Sequence, residues 1–118
     1  LVAGGGIGGL ATALALSRSR HRADVFEQAA VFGEIGAGVQ LGPNVTRRLQ
    51  QLDLGTGLAK IAARPDALVV RSAGSDAVLA RLPLGDAMQQ RYGAPYFCAH
   101  RADLHTLLLE AVRARGSP

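Results

Sequence analysis

The chain has 118 residues, 48% of them apolar and 19% charged, which allows one small folded domain and argues against disorder. Its formal charge of +4 sets twelve Arg and a single Lys, Lys60, against nine acidic residues. The arginines, among them Arg18, Arg20, Arg47, Arg48, Arg71, Arg81 and Arg113, are scattered and form no run with interleaved aromatics, which argues against nucleic-acid binding.

Leu1 to Ser17 is uncharged, but it has no basic residues ahead of it, contains five Gly, and is shorter than the ~20 residues that span a bilayer. Neither a signal peptide nor a membrane segment is expected. Leu1-Val2-Ala3 reads as the end of an apolar strand with no initiator Met before it, and Gly4 to Gly9 as a glycine turn. A helix follows from about Gly9 to Arg20, with Leu10, Leu14, Ala11 and Ala15 at helical spacing. A second short strand covers Ala23 to Glu27, and a glycine-rich loop runs from Gln28 to Gly42. Pro43 suits the first turn of a helix that has Val45, Leu49 and Leu52 on one face and ends near Gly55. Ala67–Arg71 and Ala77–Leu82 read as a hairpin joined by Ala73-Gly74-Ser75-Asp76. The last helix is expected from about Ala102 to Ala114, burying Leu104, Leu108, Ala111 and Val112. A strand–helix–strand start wants a third parallel strand to pack against, and none follows before Pro118. The expected fold is therefore α/β: a Rossmann-like βαβ start with an inserted β-hairpin, truncated before the third parallel strand.

Gly4-Gly5-Gly6-Ile7-Gly8-Gly9 fits G-x-G-x-x-G with Gly4, Gly6 and Gly9 at the key positions. The first permits a tight turn out of the strand, the second lets backbone approach a pyrophosphate, and the third lets helix and strand pack closely. Glu27 follows Gly9 by 18 positions, at the end of the second strand. A carboxylate there can accept both ribose hydroxyls of an adenosine and would repel a 2′-phosphate. Turn and acid together point to an ADP moiety, which FAD and NAD share, and the residues fit either.

Cys98 stands alone, so neither an intrachain disulfide nor a cysteine metal cluster is expected, and a reducing cytoplasm is the expected compartment. Cys98, Tyr92, Tyr96 and Phe97 read as packing residues, and His105 as helix surface. His100 and His105 do not pair with a carboxylate cluster at metal-ligand spacing, so no metal site is expected.

Three further stretches are Phe32-Gly33-Glu34-Ile35-Gly36-Ala37-Gly38-Val39-Gln40-Leu41-Gly42-Pro43-Asn44, Arg91-Tyr92-Gly93-Ala94-Pro95-Tyr96 and His100-Arg101-Ala102-Asp103-Leu104-His105. With the glycine turn, they make nearly the whole chain resemble the single-component FAD-dependent aromatic hydroxylases, most closely the salicylate and 3-hydroxybenzoate 6-hydroxylase group. The resemblance implies that Gly4, Gly6, Ile7, Gly8 and Gly9 cradle the FAD pyrophosphate, Glu27 holds the ribose, and Gln28 lies beside the adenine end. It implies that Gly36, Ala37 and Gly38 run along the ribityl chain and flavin, that Gln40 lies near the flavin ring, and that Arg101 reaches the phosphate and ribityl region. Residues 1–118 would then be a partial FAD-binding domain without the substrate domain, inactive alone. The parent enzyme would use NAD(P)H and O2 to hydroxylate a small aromatic acid. The family's later Asp-Gly and Gly-Asp motifs have no counterpart here. Two alternatives remain: the nucleotide-binding segment of an NAD-dependent dehydrogenase, and a non-catalytic truncated dinucleotide-binding fragment.

Overall fold

In the computed structural model, residues 1–30 and 36–115 are described. Residues 31–35, which include the start of the hydroxylase-like stretch 32–44, and the closing 116–118 lie outside them. Two short strands, β1 (Val2–Ala3) and β2 (Val25–Phe26), pair in parallel with Val2 opposite Val25 and Ala3 opposite Phe26. The crossover between them is α1 (Ile7–Arg18), which begins two residues earlier than its apolar spacing suggests because the glycines themselves enter the first turn. Leu10, Ala13 and Leu14 are buried on its inner face.

The glycine-rich segment is not all loop. Gly38–Leu41 forms β3, which pairs antiparallel with β7 (Phe97–His100), and β4 (Ala62–Ala63) pairs with the other side of β7. The apolar run at Phe97 is thus the middle strand of a three-stranded sheet. Cys98 and Phe97 are half-buried there, while Tyr92 is exposed rather than packed, with the Arg91 guanidinium 5.3 Å from its ring centre.

Helix α2 (Pro43–Gln51) starts at Pro43 as expected, but it buries Thr46 and Leu49, and Val45 faces solvent. A hydroxyl is buried there because the Thr46 side chain donates to the Pro95 carbonyl at 2.7 Å. Thr46→Val keeps the shape and orphans that carbonyl, so we expect it to cost about 1–3 kcal/mol in chemical denaturation. Helix α3 (Gly55–Ile61) carries Leu58 into the core. The hairpin, β5 (Ala67–Arg71) and β6 (Val78–Pro83), forms where expected, with Leu68, Val70, Val78, Leu79 and Leu82 exposed. Helix α4 (Gly85–Tyr92) ends at Gly93, whose φ of 71° makes the left-handed cap.

Helix α5 (Arg101–Ala114) lies along α1 and closes the core with Leu104, Leu108 and Val112. Ion pairs tie the helix ends together, because Asp53 meets both Arg18 of α1 and Arg115 just past α5. Among the described residues no helix is long and apolar enough to cross a membrane.

Candidate functional site: a glycine turn and its acid

β1 delivers the chain to Gly4, where φ is +95°, a conformation side-chain-bearing residues rarely adopt. The Gly4 amide donates to the Phe26 carbonyl at 2.7 Å, so the turn leaves directly from the parallel pair. At Gly9, a Cβ would lie 1.9 Å from the Gly4 carbonyl oxygen and 3.4 Å from a Val2 methyl. Glycine here is what lets α1 close down on β1.

The N-terminus of α1 is built without the usual side-chain partners. Its cap is Gly6, no side chain bonds the cap, and no acidic residue occupies the first turn. The first i→i−4 bond runs from the Leu10 amide to the Gly6 carbonyl at 3.0 Å, so the N–H groups of Ile7, Gly8 and Gly9 precede the helical ladder. With the positive end of the helix dipole, such donors favour a negative group.

Glu27 follows β2 and turns back on the glycine segment. One carboxylate oxygen accepts the Gly5 amide at 2.7 Å, and the other accepts the Ala29 amide at 2.9 Å. These bonds, Ala29 first and Gly5 second, hold its carboxyl below the usual glutamate range against the opposing effect of burial, with Gln28's amide and the His105 ring adding to the lowering. A carboxylate has about four acceptor positions, so these backbone amides do not fill it. Beside it opens a cleft of about 420 Å³ lined by Ala3, Gly4, Phe26, Glu27 and Gln28.

The second group of expected residues gathers at the start of α5. The Arg101 amide donates to the Ala37 carbonyl at 3.2 Å, and a Cβ on Gly36 would come within 2.7 Å of the Arg101 Cβ. Gly38 opens β3 opposite His100. Gln40 accepts a hydrogen bond from the Tyr96 hydroxyl at 2.8 Å, and burial pushes that phenol up, with Cys98 adding to it.

His105 overturns an expectation. It is buried at 4% exposure, and its Nε2 lies 2.8 Å from the Gly5 carbonyl. The signal was present in the sequence: position 105 falls on the 105, 108, 112 stripe of α5, so it faces inward with Leu108 and Val112. Among the described residues, no group of three His, Cys, Asp or Glu side chains could hold a metal ion.

A model of the NAD(P)-binding Rossmann-like domain matches residues 2–52. Over 116 residues, 98% of the chain, identity is 47% to 3-hydroxybenzoate 6-hydroxylase of Polaromonas naphthalenivorans (strain CJ2). The chain is homologous to the FAD-dependent aromatic hydroxylases. It spans about 29% of that relative's length. Identity is also 47%, over 92% of the chain and 28% of the relative, to the 3-amino-4-hydroxybenzoate 2-monooxygenase PtmB3 of Streptomyces platensis. Klebsiella pneumoniae HpxO, solved with FAD and uric acid, superposes with a TM-score of 0.84 at 27% identity, covering 97% of the chain and 28% of that structure. The hydroxylase resemblance read from the motifs therefore holds along nearly the whole chain. Relatives of equal identity carry different substrate names, so homology over this stretch does not separate their substrates.

Proposed function

We propose that residues 1–118 form part of the FAD-binding domain of an NAD(P)H-dependent flavoprotein monooxygenase. Its substrate would be a small phenolic or aromatic acid of the salicylate or 3-hydroxybenzoate type, with O2 as co-substrate and the cytoplasm as its place of work. The observation that carries this reading is Glu27, oriented by two backbone amides at the mouth of the cleft beside the glycine turn.

The residues fit an ADP moiety. The amides of Ile7, Gly8 and Gly9 would take the pyrophosphate, and the surface above Gly4 and Gly8 is open, since a Cβ at either would meet nothing within 4 Å. Gly6 would let backbone come close to the same phosphates. The acceptor capacity that Glu27 keeps would take the ribose hydroxyls, and Gln28 borders the space left for adenine. The Gly36–Ala37–Gly38 segment, held to the Arg101 backbone, would run beside the ribityl chain, with Arg101 near the phosphates. When bound, FAD supplies hydride acceptance from NAD(P)H and oxygen transfer to an electron-rich ring. The protein's part here is to bind and orient the adenosine half and one flank of the cofactor.

A sizing column run on the protein from its source, followed in the ultraviolet and the flavin band together, tests this reading. The expected result is yellow colour co-eluting with the protein and NAD(P)H oxidation stimulated by a hydroxybenzoate. A colourless protein that binds NAD but takes up no added FAD would favour the dehydrogenase reading instead.

A further inference from the structure

We propose that His105 is a positioning residue for the phosphate-binding turn: together with Glu27 it clamps the Gly5 residue from both sides and so aims the Gly6 N–H away from α5, toward the ligand. The inference rests on the reading above for the ligand's identity, and on geometry alone for the clamp.

Gly5 is buried, and both of its backbone groups have side-chain partners drawn from elsewhere in the fold. Its amide donates to Glu27 at 2.7 Å, and its carbonyl faces His105 Nε2 at 2.8 Å. A carbonyl oxygen only accepts, so Nε2 carries the proton and donates. The Gly5 carbonyl belongs to the same planar peptide as the Gly6 amide, and among the described residues no peptide is cis. In a trans peptide the C=O and N–H point in opposite directions. Drawing the Gly5 oxygen toward α5 therefore turns the Gly6 N–H to the opposite side. The Glu27 bond fixes the preceding peptide in the same way. Two successive planes are thus set in the segment where three glycines in a row, Gly4, Gly5 and Gly6, would otherwise leave the backbone at its most permissive.

His105 sits one helical turn after Arg101, whose amide holds the Ala37 carbonyl. Helix α5 therefore fixes the glycine turn and the 36–38 segment from a single rigid element.

The test compares wild type with His105→Gln, which keeps a donor, and with His105→Leu and the more adaptable His105→Met, which lack one. Hydrogen exchange without added ligand is read by mass spectrometry at segments 2–10 and 106–112, and FAD affinity is measured on the flavin-stripped holoprotein. In the donor-less variants, exchange in the turn is expected to rise and FAD affinity to fall, each about tenfold, the scale of one buried hydrogen bond. Segment 106–112 should stay unchanged, and His105→Gln should remain within about threefold of wild type. Unchanged turn exchange in a folded donor-less variant overturns the clamp. So does loss by His105→Gln equal to that of His105→Leu, or a rise spread evenly over both segments, because a space-filling role predicts those. If wild type takes up no FAD but the turn alone loosens, the flavin reading falls and the clamp stands. If FAD binds wild type and all variants equally, the clamp falls and the flavin reading stands.

Discussion

Gly9→Ala is expected to destabilise the protein by about 3 kcal/mol or more and to abolish dinucleotide binding. The added methyl would stand 1.9 Å from the Gly4 carbonyl oxygen, and that neighbour is backbone in the tightest part of the turn. Relief requires α1 to move off β1, which breaks the packing of Leu10 and Leu14 against α5 as well as the turn. Gly8→Ala is the internal control. Its methyl would meet nothing within 4 Å, and alanine favours a helix over glycine by about 0.8–1 kcal/mol, so the protein alone should be no less stable. If the open space above Gly8 takes the pyrophosphate, as proposed, the variant's affinity for FAD should nonetheless fall, because the methyl would project into that space. Denaturant midpoints and flavin titration of the two variants separate packing from ligand contact.

Glu27→Ala should lower FAD affinity by about 10- to 100-fold, the scale of one or two hydrogen bonds to a charged group. It also leaves the Gly5 and Ala29 amides without their carboxylate, so some stability goes with it. The pH dependence has a definite sign. The folded protein holds the Glu27 carboxyl below its ordinary value, so the carboxylate's contribution is complete above the unfolded-state value and disappears as pH falls through the folded one. Wild type should lose stability and flavin on the acid side, and Glu27→Gln should show a flatter acid limb. An acid limb of equal steepness in Glu27→Gln would show that other carboxylates govern it.

The glycine turn, its helix, the acid at the end of β2, the hairpin and the final helix were all legible in the sequence. Each carries a strong local signal: glycine spacing for the turn, apolar periodicity for α5, and turn residues between two β-rich runs for β5 and β6. The three-stranded antiparallel sheet was not legible. Its strands are two to four residues long, and β3 begins at Gly38, within a stretch whose glycines signal a loop. What makes it a sheet is pairing between residues 38–41 and 97–100, a long-range contact that local propensity does not encode. Helix α3 was hidden in the same way by Gly55 and Gly57, two poor helix formers within seven residues.

His105 was misread for a different reason. A polar residue on a helix reads as surface, yet the periodicity of position 105 with Leu108 and Val112 places it inward. The turn offers a buried carbonyl that needs a donor, so a polar side chain at that inward position is stabilising rather than costly. The candidate residues were thus visible one by one, whereas their contacts with α5 were visible only in three dimensions.

The central claim is that the glycine turn and Glu27 hold an adenosine diphosphate moiety belonging to a flavin. The most direct measurement is a parallel titration with FAD and with FMN, which lacks the adenosine half. Binding of FAD at one per chain and at least about 100-fold tighter than FMN, with most of that difference removed by Glu27→Ala, is the predicted result. Equal affinity for the two flavins, or FAD binding indifferent to Glu27→Ala, would contradict it.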